Sequence, residues 1–320
     1  MHRSGTSVAS RAINLLGVPF GGGRIIPTTA ANPRGHWESW ELQDVNNDLL
    51  AAFGGSWAGP PILHEGWEAD ERAIRLKGAA ISAWTLVHSA EPWVWKDPRT
   101  CLTLPFWRRA VSLEGPAVVI YRQPDEVAAS LARRDGFSVS VSLALWERYN
   151  RDALMAVRGL PVLVTSYDQL TSDPAGWVAE VRTFLGDQGI LKDASMTAAD
   201  AAAEIQVDLH RDSGQHWVEL SNSQVRLLEA LGEARGDHAR FSPPAIGAPS
   251  PWLGPLLVEH GRAYDREIAL KAELGRARSQ LGHVINMTRV KVLAYRAYKH
   301  VANGKAPVGD RGDPTMSDRP

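Results

Sequence analysis

One cation, three hydroxyls and a glycine stand together at Arg3-Ser4-Gly5-Thr6-Ser7. Gly5 permits a tight turn, and the apolar positions Val8, Ala12, Ile13, Leu15 and Leu16 that follow predict a helix capped by Ser4 or Thr6. Free amides at a helix N-terminus favour an anion, so the stretch is a seat for phosphate or sulfate with Arg3 as the fixed cation. It lacks the Gly-Lys pair of the G-x-x-x-x-G-K-[ST] loop, which argues against ATP or GTP. Three further groups carry usable chemistry. Gly35-His36-Trp37-Glu38, with Glu41 close behind, offers proton acceptors; Lys96-Asp97-Pro98-Arg99 offers cations; and Arg122 with Ser130 offers a second anion grip. Each has a plain reading on its own: a capped helix start, a helix-start carboxylate, a solvated strand-end lysine, a surface arginine, a small helix spacer.

The elements that must position these groups follow from periodicity. Helical spacing begins again near Ser39 (Leu42, Val45, Leu49, Leu50), runs over about 69–89, and returns over 102–111. Pro92-Trp93-Val94-Trp95 reads as a short buried strand ending at Lys96. Ala117-Val118-Val119-Ile120-Tyr121 and Pro161-Val162-Leu163-Val164 are runs of the kind buried on both faces of a parallel sheet, each followed by a helical pattern. The alternation predicts an α/β fold with a parallel sheet flanked by helices and ligands gathered at the strand C-terminal ends, where Lys96 and Arg122 fall. Gly21-Gly22-Gly23 predicts a mobile connection. A helix is expected over about 224–231, a Pro/Gly linker over 243–254, a helical extension over 255–303, and a disordered tail over 304–320, leaving residues 1–242 as the main domain.

Composition narrows the function classes. A formal charge of -1 over 320 residues argues against nucleic acid as a partner, and Cys101 is the single cysteine, which rules out an internal disulfide and suits a reducing cytoplasm. No stretch reaches the roughly 18 apolar residues of a membrane span, and the start lacks a signal-peptide layout. Twelve tryptophans serve packing or stacking on a sugar or base.

Taken together, the motifs resemble the sulfotransferases that use 3′-phosphoadenosine-5′-phosphosulfate (PAPS), over about the first 240 residues. Arg3-Ser4-Gly5-Thr6-Ser7 resembles their phosphosulfate loop, with Arg3 where many members carry lysine. Tyr121-Arg122-Gln123-Pro124-Asp125 through Ser130 resembles their 3′-phosphate motif. Tyr167-Asp168-Gln169-Leu170 and Phe184-Leu185-Gly186 resemble two further elements. The resemblance implies a P-loop-like sulfotransferase fold and PAPS as co-substrate, bound by Arg3, Ser4, Gly5, Thr6, Ser7, Arg122 and Ser130. It implies no metal. The histidine base of many cytosolic members is absent, since the matching stretch reads Lys96-Asp97-Pro98-Arg99. Carbohydrate-directed and bacterial members use a glutamate after the first helix, which makes Glu38 the candidate base, with His36 and Glu41 as alternatives. Lys96 would stand at the bridging oxygen. Arg99 and Trp37 would meet a small-molecule or glycan acceptor, or Arg99 would brace Asp97; His210 and Arg211 are weaker candidates for closing the site. A P-loop-like small-molecule kinase and a non-catalytic scaffold working through the C-terminal helix are the rival readings.

Three features depart from the family or extend beyond it. Val8 stands where an adenine-stacking aromatic is usual. Only Met1 and His2 precede the loop, whereas a phosphate loop ordinarily follows a strand of about five residues. The expectation is a missing central strand that leaves its neighbours unpaired and opens an apolar slot, through a start site assigned too late or a truncated pseudo-enzyme. Finally, residues 283–305 are basic and free of acids around an apolar stripe (Met287, Val290, Ala294, Ala297, Tyr298, Val301). That pattern suits peripheral contact with the inner membrane surface, or packing in a homo-oligomer.

Overall fold

The computed structural model of this chain describes residues 1–28, 35–88, 92–191, 197–203 and 218–302. Helix α1 (Thr6–Leu15) starts directly after Gly5, whose φ of 84° turns the chain into it. Helix α2 (Trp40–Ala52) is capped by the Ser39 hydroxyl, which accepts from the Leu42 amide. Next come α3 (Glu71–Val87) and α4 (Thr100–Val111), then strand β1 (Ala117–Tyr121). Helix α5 (Pro124–Asp135) has Pro124 and two acids in its first turn, Arg133 and Arg134 in its last, and stops at left-handed Gly136, in line with the helix dipole. Helix α6 (Val139–Ala156) leads to β2 (Val162–Ser166), α7 (Tyr167–Ser172), α8 (Pro174–Asp187) and α9 (Ala198–Ala203). Helix α10 (Asn222–Glu233) opens on a Ser221/Gln224 capping box, and β3 (Gly236–His238) and α11 (Leu253–Ala302) complete the order.

The protein is mixed α/β. β1 pairs parallel with β2 in the register Val119↔Val164, and β3 adds antiparallel to β2. Alternation along the strands divides the core. Val119, Tyr121, Val162 and Val164 pack with α5, α6 and α10 residues such as Leu131, Trp146 and Leu227, while Ile120 and Leu163 pack with Ile13, Trp177 and Phe184 of α1 and α8. Helices therefore cover both faces. A separate cluster under α2, α3 and α4 holds Leu42, Leu49, Trp107 and the half-buried Trp84 and Trp93.

Several expectations need correction. Pro92–Trp95 is no strand: Val94 makes one isolated parallel bridge to Phe20. β3 was not expected, because Gly236-Asp237-His238 has no apolar signal and pairs through backbone alone. The triple glycine is anchored, with Gly22 donating to the Val87 carbonyl at 2.6 Å and Trp40 donating to Arg24. The compact first unit runs from Met1 to Tyr264, past the residue-242 boundary, and residues 243–254 pack within it. There Arg151 donates to the carbonyls of Ile246, Gly247 and Ala248, and buried Glu147 accepts from Ser250. The second unit, from Asp265, carries the rest of α11, in which every residue from Asp265 to Lys299 is exposed. Among the described residues no helix is long and apolar enough to cross a membrane. The expected tail, His210 and Arg211 lie outside the described residues.

Candidate active site

The loop ahead of α1 gathers three of the sequence-identified groups. Arg3, held at φ 64°, donates from Nε to the Ser130 hydroxyl at 2.8 Å, across 127 residues of sequence. Arg122, one residue past β1, donates from Nη1 to the Arg3 carbonyl at 3.3 Å. It also pairs with Glu126 at 2.7 Å and lies over the Tyr167 ring at 4.3 Å. Its backbone is fixed in turn by the indole of Trp146, which donates to the Arg122 carbonyl. Tyr167 also sets the loop itself: a Cβ on Gly5 would stand 2.2 Å from Tyr167 Cδ2, so only glycine fits. The N-cap position of α1 has no side-chain cap, and the Ser4 hydroxyl is fully buried with no hydrogen-bond partner. An uncapped helix start, an orphaned hydroxyl, the buried Arg122 and the half-buried Arg3 fit a phosphate-bearing ligand. The expected pair of anion grips is thus joined through Arg3 into one cluster.

The second half of the site is a buried charge network. The Lys96 ammonium donates to Glu38 Oε1, and the two side chains are each 8% exposed. Gln43 donates to the other carboxylate oxygen at 2.8 Å, and Arg99 Nη1 stands 3.7 Å from it. Arg99 is braced by Asp97 at 3.0 Å, as one of the two sequence readings had it. Asp97 is held by the Asn46 amide at 2.8 Å, and Asn46 in turn accepts from Thr103 and Trp107. Burial pushes the Glu38 carboxyl up from its ordinary value, and the Lys96 charge opposes that rise. Burial likewise pushes the Lys96 ammonium down, against the pull of Glu38. The network therefore holds a carboxylate of raised proton affinity beside a buried ammonium of lowered proton affinity, which suits general-base chemistry.

His36 and Trp37 connect the halves. The Ser7 hydroxyl of α1 lies 3.5 Å from the His36 carbonyl. Burial, then the charges of Lys96, Arg134 and Arg3, lower the His36 pKa from its ordinary value, which favours the neutral imidazole. Trp37, expected to meet the acceptor, has φ 56° and stacks on Phe20 at 4.9 Å with Arg11 over its ring at 5.2 Å, so its ring is engaged by protein. Glu41 is turned away to Arg24 and Ser39. Thr6 and Ser7 form the first turn of α1. Sequence reasoning missed Gln43 and Asn46, whose signal was two amides spaced three apart on a helix read only for its apolar stripe. It also missed His2, which sits between Trp57 and Tyr149 at 4.6 and 5.6 Å. Among the described residues no three His, Cys, Asp or Glu side chains group as a metal site. Comparisons of the chain with protein-family models, with curated proteins and with solved structures found no match.

Proposed function

We propose that this chain is a PAPS-dependent sulfotransferase of P-loop-like fold. It would move a sulfuryl group to a hydroxyl, less readily an amine, of a glycan, lipid or secondary-metabolite acceptor. The single observation that carries the reading is the buried Glu38–Lys96 pair, set one short segment away from an uncapped, arginine-flanked helix start. PAPS supplies the activated sulfuryl group and a phosphate leaving group.

Each side chain then has a task. Arg122, Ser130 and Arg3 hold phosphate charge through charge-assisted bonds, and Ser4, Gly5, Thr6 and Ser7 present the amides and hydroxyls of the loop. Glu38 takes the proton of the acceptor hydroxyl, and Gln43 fixes its orientation. Lys96 neutralises Glu38 at rest. When its ammonium turns towards an incoming anion, Glu38 loses its counter-charge and its proton affinity rises further, as a base requires. Arg99, aligned by Asp97, which Asn46 holds, would meet the acceptor together with His36. Positioning and electrostatics supply the acceleration, as in phosphoryl transfer. A lone half-buried cysteine suits a cytoplasmic setting. Thermal shift with adenosine 3′,5′-bisphosphate beside ATP tests the nucleotide preference, and release of adenosine 3′,5′-bisphosphate from PAPS with a panel of hydroxyl acceptors tests turnover. Equal stabilisation by ATP, or none by either, would overturn the assignment.

A further inference from the structure

Two nitrogens near the Glu38–Lys96 pair are shut off from solvent and have no hydrogen-bond partner: Nε2 of His2 and Nε of Arg99. The His2 ring is held by aromatic contact alone at that end, between Trp57 at 4.6 Å and Tyr149 at 5.6 Å. Tyr149 is committed elsewhere, its hydroxyl donating to the Trp57 carbonyl at 2.8 Å. Arg99 spends Nη1 on Asp97 at 3.0 Å, which leaves Nε over.

The two nitrogens border one space. Arg99 is the charge that acts most on His2, and it acts also on the Tyr149 hydroxyl, against whose ring His2 packs. Arg134 lies over the Trp57 ring at 5.2 Å and acts on His2 and His36 alike. Burial, then Arg99, Arg134 and Lys96 among the charges, hold the His2 pKa well below its usual value. These cations act on the imidazole in the same sense, so the potential there is positive although Glu38 and Asp97 stand close by.

The donors say what the space takes. A buried donor left unmatched is costly, and more so on a charged group. Arg99 Nε can only donate, and the neutral imidazole donates in its Nε2–H form. Two such donors at positive potential match an oxygen anion, and a carboxylate has one oxygen for each.

We propose that His2 and the Nε edge of Arg99 form an acid-recognition subsite, so that the acceptor presenting its hydroxyl to Glu38 is a hydroxy acid whose carboxylate accepts one hydrogen bond from each. Arg99 Nη1 stands 3.7 Å from the Glu38 carboxylate, so the hydroxyl and the acid group lie within a few bonds of each other. The hydroxyl half of the inference rests on the sulfotransferase reading, whereas the acid half rests on the two nitrogens.

Calorimetry on the 320-residue chain without nucleotide tests the subsite with two matched pairs: methyl β-D-glucuronide beside methyl β-D-glucoside, and 3-hydroxybenzoate beside 3-hydroxybenzyl alcohol. In at least one pair the acid should bind about ten-fold tighter or more. His2→Phe keeps a ring between Trp57 and Tyr149 but has no nitrogen, and it should shrink that preference to about two-fold or less. A proton NMR titration of the unaltered chain needs no variant: the preferred acid should raise the His2 pKa, because a carboxylate beside an imidazole favours the charged form, and its neutral partner should not. No acid preference in either pair, an equal preference in a folded His2→Phe, or a His2 pKa unmoved by the acid would overturn the proposal. Turnover is read apart from binding. Acid preference without release of adenosine 3′,5′-bisphosphate from PAPS would uphold the subsite and overturn the sulfotransferase reading; release at equal kcat/KM with acid and neutral acceptors would do the reverse.

Discussion

Replacing Glu38 by Gln separates a base from a counter-ion. The amide keeps the shape and can still accept one hydrogen bond, but Glu38 now accepts from both Lys96 and Gln43 on its two oxygens. In the variant one of those donors meets an NH₂, so one charge-assisted bond worth about 1.5–3 kcal/mol is lost. Lys96 is left buried without its charge partner, and breaking a buried pair typically costs about 3–5 kcal/mol. The single variant should therefore lose about 3 kcal/mol or more by urea denaturation, and turnover should fall by about 10² to 10⁴. Adding Lys96→Met removes the stranded charge, so the double variant should recover part of the stability and none of the turnover. Stability and activity must part company in this way. If Glu38→Gln loses stability yet keeps turnover within a few-fold, Glu38 is a counter-ion only, and loss of turnover in His36→Ala would move the base to His36.

Other outcomes follow from the same geometry. Gly5→Ala puts a methyl 2.2 Å from the Tyr167 ring at φ +84°, so it should cost more than the roughly 1–2 kcal/mol of the left-handed backbone and abolish adenosine 3′,5′-bisphosphate binding, read by chemical denaturation and calorimetry. Arg122→Ala and Ser130→Ala should each weaken that binding about ten-fold or more, and unchanged affinity in both would remove the anion cluster. The pH profile of kcat/KM should be a narrowed bell. Activity needs Glu38 deprotonated and Lys96 protonated, so the acid limb should lie above the carboxyl value of 4.5 and the alkaline limb below the ammonium value of 10.5, because burial raises one and lowers the other. For α11, Arg289, Lys291, Arg296 and Lys299 on an acid-free, exposed stretch predict salt-sensitive co-sedimentation with anionic vesicles, lost on deleting residues 283–320.

How much could be read from the sequence depended on the range of the interaction. Strands β1 and β2 announce themselves as uncharged apolar runs, and α2 by Ser39 ahead of its stripe, because those signals are local. Glu38, Lys96, Arg122 and Ser130 were recognisable as types at helix starts and strand ends, yet their pairing was not. That Arg3 would reach Ser130, or that Gln43 and Asn46 would hold the carboxylates, depends on where whole elements dock. The Pro-rich stretch 243–254 looked like a linker since nothing local distinguishes free carbonyls from carbonyls that Arg151 will bind about a hundred residues away. Val94 and its neighbours have strand composition, but a strand needs partners, and they have one bridge.

The tryptophans under α3 carry a consequence of an optical kind. Trp84 lies 5.2 Å from Trp93, 5.9 Å from Trp95 and 6.0 Å from Trp107, and Trp95 lies 5.1 Å from Trp107, with ring planes inclined by 40° to 76°. Indoles that close and that far from coplanar are expected to couple, and near-ultraviolet circular dichroism of the chain should show a two-signed band rather than the sum of independent dyes. Trp95 is adjacent in sequence to Lys96, and Trp84, Trp93, Trp95 and Lys96 all line one cavity of about 790 Å³. A sub-ångström shift there should change the coupling, so near-ultraviolet circular dichroism is expected to report on the surroundings of Lys96 without a label.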